Sequence, residues 1–170
     1  MAATSSTYTA HSGRFDALEL LRSDHRQIID LLDSYVKNHE TMEVAKRVTL
    51  VGRLSRALAV HILIEEELFF PALRETVEDI VPLVDVAEVE SAAIKRLAGD
   101  LSTTTPSLDP RYDAKVAVLA KYVREHLRLV EEQIFPKLRK SALELSALGE
   151  QLALRRKEAL ATIGNTDLQS

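Results

Sequence analysis

The residues in this chain best suited to chemistry are histidines and glutamates, and they recur in a repeated phrase. The stretch 61–74 reads His-Ile-Leu-Ile-Glu-Glu-Glu-Leu-Phe-Phe-Pro-Ala-Leu-Arg; 65 positions later, 126–139 reads His-Leu-Arg-Leu-Val-Glu-Glu-Gln-Ile-Phe-Pro-Lys-Leu-Arg, with seven identities. The shared histidine and the glutamates about one turn after it supply nitrogen and oxygen donors, which suit a divalent cation. A duplicated metal half-site is the chemistry this spacing offers. The chain has no cysteine, which excludes disulfides, thiolate metal sites and a cysteine nucleophile. Histidine and carboxylates are the strong ligands that remain.

Residues four apart share a helix face, with about 5–6 Å between Cβ atoms, so His61 and Glu65 can address one cation or two adjacent ones. In the second copy the corresponding position is Val130, and the carboxylates Glu131 and Glu132 stand five and six after His126. At about 100° per residue, Glu131 lies about 140° round from His126 and reaches inward only through its longer side chain. Glu132 points outward. Glu66 aligns with Glu131 and is a reserve candidate, although helical phase favours Glu65; Glu67 is assigned to the surface. Upstream, His25 interrupts the stripe Leu18, Leu21, Ile28 and Leu32. His25, His61, Glu65 and His126 thus each replace a core residue in phase. A single histidine in such a place is commonly a hydrogen-bonded core residue. Three on three helices with carboxylates in phase are different, because leaving a buried charge without its partner costs roughly 3–5 kcal/mol. A pair of divalent cations compensates the cluster; the competing reading is a metal-free polar network. Phe69, Phe70 and Phe135 either seal the end of the site or are ordinary core.

The elements that must position these residues are helices. Strict apolar alternation is absent, and the 170 residues contain only five Gly and five Pro, which predicts an all-α fold. Helices are expected at about 15–36, 43–75, 80–101 and 111–138, with Pro82 in the first turn of the third and a shorter amphipathic segment at 141–163. Short connections make consecutive helices antiparallel, giving an up-down four-helix bundle (14–140) with an additional C-terminal helix. The segments 1–13 and 164–170 read as tails. His11, in the first, and His39, in a connector, have no assigned role. At 46% hydrophobic and 28% charged the chain suits one domain with a real core. A net charge of −4 gives no general attraction to nucleic acid or anionic membrane. No apolar run is long enough for a bilayer span, and residues 1–13 lack the features of a secretory signal. A cytoplasmic protein is expected.

The set Ser23-Asp24-His25-Arg26-Gln27-Ile28, His61 with Glu65-Glu66 and Phe70-Pro71-Ala72-Leu73, and His126 with Glu131-Glu132 and Phe135-Pro136 resembles the hemerythrin-like, His-His-Glu cation-binding family over about 15–138. The resemblance implies a left-handed four-helix bundle holding a non-haem di-iron centre, bridged by two carboxylates and an oxo or hydroxo oxygen. By it, His25, His61 and His126 are terminal ligands, and Glu65 and Glu131 the bridges. Manganese or zinc are alternatives; zinc is favoured by affinity alone, whereas a paired six-ligand site suits iron or manganese better.

The third helix departs from the family. Relatives carry one or two histidines there, before an apolar-Lys pair; here the sequence is Glu88-Val89-Glu90-Ser91-Ala92-Ala93-Ile94-Lys95, and alignment through Ile94-Lys95 puts the missing His at Ser91. The stripe Leu83, Ala87, Glu90, Ile94, Leu97 and Leu101 points instead to Glu90 as a replacement ligand. The alternative turns Glu90 to the bundle edge beside a basic side chain. Tyr122, one turn before His126, is then a hydrogen-bond donor behind the ligands, a substitute ligand or plain core. Extra carboxylate charge stabilises the ferric state, which favours reaction with peroxide or dioxygen over reversible oxygen carriage. Two classes follow: a di-iron oxidoreductase of catalase or peroxidase type, or a module sensing iron, oxygen or nitric oxide through a protein partner. In the second, the tail and the helix at 141–163 would face that partner; the plainer reading of this helix is a lid on the bundle. A metal-free or zinc-stabilised bundle stands behind both.

Overall fold

The computed structural model describes residues 16–166, and among these no strand occurs. Residues 1–13, with His11, and 167–170 lie outside the described residues; 164–166, expected in a tail, continue the last helix. Helix α1 (Ala17–Asn38) begins at Asp16, whose side chain accepts the Glu19 N–H at 2.9 Å and so satisfies one of the donors every helix start leaves open. Lys37 suits its negative end. Helix α2 (Val44–Ile64) passes through a π turn (Glu65–Phe69) into α3 (Phe70–Thr76). After a turn where Asp79 takes a left-handed φ of 56°, which short polar side chains tolerate, α4 (Val81–Ser102) carries Pro82 in its first turn. Helix α5 (Tyr112–Leu129) continues through a second π turn (Val130–Ile134) into α6 (Phe135–Leu138), and α7 (Leu145–Thr166) packs against α1 and α2.

The core reveals the antiparallel order. One apolar cluster gathers Leu18, Leu21, Phe69, Leu73, Val84, Ala87, Ile134 and Phe135 with Leu148 and Leu152 of α7. A second gathers Ile28, Tyr35, Val51, Leu58, Ile94, Leu101, Tyr112 and Val123. Helices α1, α2, α4 and α5 therefore each traverse both clusters, and successive ones traverse them in opposite senses, whereas α7 joins the first cluster alone. Between the clusters sit the buried polar residues His25, His61, Glu65, Ser91 and His126. The expected four-helix bundle with an additional C-terminal helix is the observed fold.

Two departures from the sequence reading concern local geometry. The second and fourth helices each widen into a π turn at the repeated phrase. Pro71 and Pro136 have no N–H to offer the carbonyl four residues back and crowd it. The helix relaxes by bonding five residues back, as Phe70 N–H does to Glu65 O and Phe135 N–H to Val130 O. The second departure is in α4, whose buried stripe is Val84, Ala87, Ser91, Ile94, Ala98 and Leu101. Leu83, Glu90 and Leu97 lie on its flank, because the inner stripe mixes small Ala87, Ser91 and Ala98 with Val84, Ile94 and Leu101, and the flanking leucines cover the sides of the small positions.

Candidate metal centre

The π turns fall where the ligand candidates stand, and they set the polar layer between the two apolar clusters. Glu65 opens the first π turn and is fully buried. One of its oxygens, Oε2, accepts from His126 Nε2 at 3.2 Å, while Oε1 lies 3.4 Å from His61 Nε2. A ligand atom from each of His25, His61 and Glu65 lies within 4.8 Å of the others. The His25 and His61 rings meet edge-on with centroids 4.9 Å apart, and Phe135 stacks on His25 at 6.0 Å. Glu131 takes the solvent side: its side chain is 38% exposed, and Oε1 accepts from His25 Nδ1 at 2.6 Å. The long reach foreseen for Glu131 thus ends on the outer nitrogen of His25. Glu66 is drawn off by Lys95 at 2.7 Å, and Glu67 by Arg155 at 2.5 Å, so both lie outside the cluster.

Glu90 reaches the same layer from the flank of α4. Its Oε2 is buried and lies 3.4 Å from His126 Nδ1, the ring nitrogen opposite the one facing Glu65. Ser91, one residue on, is fully buried with an unpaired hydroxyl. Tyr122 belongs elsewhere: it is 43% exposed and lines a surface groove with Val89, Glu90 and Lys121. Neither core packing nor a hydrogen bond to the ligand candidates is found for it. His126 already sits at the margin of the buried face of α5, and Tyr122, about 40° further round at 100° per residue, falls outside.

The cluster is short of partners. His25 Nε2, both nitrogens of His61, Glu65 Oε1, Glu90 Oε2 and His126 Nδ1 are buried without a hydrogen bond. Native interiors leave few such atoms, and a cation among them is what a His and carboxylate donor set accepts. Protonation tells the same story. Burial alone would push the Glu65 carboxyl up, but His61 and His126 outweigh it and hold Glu65 well below the usual carboxylate range. Desolvation likewise opposes charge on His61 and His126, yet Glu65, with Asp24 for the first and Glu90 for the second, carries each up to about 9. His25 is driven down by burial, against its bond to Glu131. Positive charge is wanted at the centre, beside Glu65, and the residues present fit a divalent cation.

Asp24 was not among the sequence candidates, although it sits in phase between Leu21 and Ile28. It is buried, its Oδ2 lies 3.8 Å from His61 Nδ1, and Arg156 of α7 grips it through Nε at 3.1 Å and Nη2 at 2.8 Å. A charged residue in an apolar phase was the available signal, and it was masked by the histidine beside it.

The family model described as the hemerythrin HHE cation binding domain matches residues 16–138. The chain belongs to this family. Its fold is also similar to a crystal structure of a hemerythrin HHE cation binding domain-containing protein, the Rv2633c homologue from Mycobacterium kansasii. The TM-score is 0.72 at 24% identity, over 87% of this chain and 89% of that one. Comparison with curated proteins gives no match. The HHE family model ends at 138, so α7 and its Arg156 lie beyond it, whereas every ligand candidate lies within. Among the described residues no helix is long and apolar enough to cross a membrane.

Proposed function

We propose that this HHE protein holds a pair of iron ions between the two halves of its core and reacts with peroxide or dioxygen, rather than carrying oxygen reversibly. The observation that supports it most is the buried donor set: His25, His61 and Glu65 within 4.8 Å of one another, with His126 bonded to the second oxygen of Glu65. In this reading His25, His61 and His126 would be imidazole ligands, Glu65 would be the carboxylate shared between the cations, and Glu131 would close the solvent side. Iron there would supply the electrons for reduction of a small oxidant. Glu90 acts as the carboxylate behind His126 Nδ1 rather than on a cation, which fixes that ring and strengthens it as a donor. A carboxylate that loads an imidazole with negative charge favours the more oxidised metal. With Ser91 where relatives carry histidine, the centre is poorer in neutral nitrogen ligands than an oxygen carrier needs.

The test is metal analysis and an optical spectrum of the full chain purified from iron-supplied cells, followed by addition of peroxide. The expected result is about two irons per chain, oxygen-to-ferric charge-transfer bands, and many peroxides consumed per protein with release of dioxygen, one peroxide being oxidised to dioxygen for each one reduced to water. One zinc per chain with a featureless spectrum overturns the iron reading. A single stoichiometric bleach on peroxide overturns the enzymatic part and favours a sensor.

A further inference from the structure

The C-terminal helix reaches the cluster through one side chain. Asp24 is only 5% exposed, and a carboxylate so deep needs a partner, since an uncompensated buried charge costs several kcal/mol. Arg156 supplies it in a two-point grip, Nε to Oδ2 at 3.1 Å and Nη2 to Oδ1 at 2.8 Å, the planar fork that matches a carboxylate. The grip fixes the carboxylate plane and leaves Oδ2 turned toward His61 Nδ1, 3.8 Å away. His61 Nδ1 has no other partner, and its Nε2 points the opposite way, toward Glu65 Oε1 at 3.4 Å. The two nitrogens of one imidazole thus face two carboxylates with different tasks.

We infer that Arg156 is a positioning residue of the metal centre: by holding Asp24 it presents an acceptor to His61 Nδ1–H, and so fixes the ring with Nε2 free for the cation. A small turn of the imidazole would bring His61 Nδ1 within hydrogen-bond length of Asp24 Oδ2, now 3.8 Å away, and leave Nε2 as the atom that would hold a cation. This assignment rests on His61 being a ligand. It gives α7 a task beyond covering the bundle. The adjacent Arg155 grips Glu67 instead, at 2.5 and 3.1 Å, an exposed pair that attaches α7 without touching Asp24.

The experiment titrates the metal-free full chain with Co(II), whose visible bands report ligand geometry, in wild type, Arg156→Gln, Asp24→Asn, the double variant and Arg155→Gln. The double variant buries no unpaired charge, so it keeps the test alive if either single variant fails to fold. The expected result is a loss of roughly 10–100-fold in Co(II) affinity, the usual effect of removing a partner behind a ligand, with altered bands in both single variants. The double variant should lose no more than the worse single one, because both act on one ring. Arg155→Gln should bind as wild type does. Wild-type affinity and bands in Arg156→Gln and Asp24→Asn overturn the relay and leave the metal centre standing. An equal loss in Arg155→Gln overturns it too, by showing that any loosening of α7 suffices. A wild-type chain that binds no Co(II) removes the metal centre itself, and the relay with it.

Discussion

At the scale of single residues, Glu90 shows how far sequence reasoning reached. Its being the odd charge near an apolar stripe was legible, and the structure does bring it to the polar layer. The side from which it arrives was not legible. Half of the inner stripe of α4 is Ala87, Ser91 and Ala98, which carry too little hydrophobic weight to betray a phase, so Leu83 and Leu97 on the flank drew the reading aside at those positions. The result is a carboxylate against His126 Nδ1 at 3.4 Å, with Glu65 holding Nε2 at 3.2 Å. If Glu90 stands behind His126, Glu90→Ala keeps the metal stoichiometry and weakens affinity by roughly 10–100-fold. Metal analysis at saturating iron and a chelator competition separate the two quantities. Loss of one metal per chain at saturation would make Glu90 a ligand after all. His25, His61, Glu65 and His126 were legible for the opposite reason: polar residues in strongly apolar helices stand out, whereas Asp24, flush against His25, did not.

At the scale of elements, the repeated phrase encodes a backbone device as well as donors. Both copies contain Phe-Pro, and both prolines sit two residues after the last residue of a π turn, so the widening repeats wherever the phrase does. Sequence pattern alone registers proline as a helix breaker and misses that an already packed helix answers by inserting a residue. Pro136→Ala restores an N–H that can bond four residues back and lets the second π turn close into ordinary α-helix. The turn of the helix upstream then changes, and Glu131 leaves His25. Unchanged far-UV circular dichroism with at least tenfold weaker iron binding is the expected outcome; unchanged binding would show that the π turn outlives its proline. A separate polar network ties the other end of the bundle. Tyr35 is buried and donates to Asp113 at 2.6 Å, and Arg47 pairs with the same carboxylate. Burial first, then the hydrogen bond to Asp113, pushes the Tyr35 phenol up to about 12. Because the folded value lies above the ordinary one near 10, this contact stabilises fully below pH 10 and is lost as pH rises through about 12. A phenolate titration at 295 nm should therefore show a late component near pH 12 that vanishes in Tyr35→Phe. That variant should lose about 1 kcal/mol at neutral pH, the ordinary net value of one hydrogen bond. Titration of all folded-state tyrosines near pH 10 would contradict the network.

At the scale of the whole molecule, the polar layer divides one bundle into two apolar clusters, and what fills that layer decides how well the halves hold together. Without a cation, Glu65 is balanced by protonated His61 and His126, while His25 Nε2 and both His61 nitrogens still lack hydrogen bonds. Those atoms give up water on folding and gain little in return, at about 1–3 kcal/mol for each unsatisfied group. A bound cation meets several of them at once, and it binds the folded chain far better than an unfolded one, where residues 25, 61 and 126 are far apart. Ligation is therefore coupled to folding. At a free metal concentration one hundred times Kd the linkage contributes about 2.7 kcal/mol per site. For a chain of 150–250 residues each kcal/mol moves Tm by about 2–4 °C, so one filled site should raise Tm by about 5–11 °C. Calorimetry of metal-loaded and chelator-treated protein reads this directly, with Tm climbing as metal concentration climbs. Glu65→Gln should abolish the rise, because Glu65 stands between His61 and His126 on helices α2 and α5, across the divided core. A Tm independent of metal in the wild-type chain would mean that the polar layer is complete without a cation.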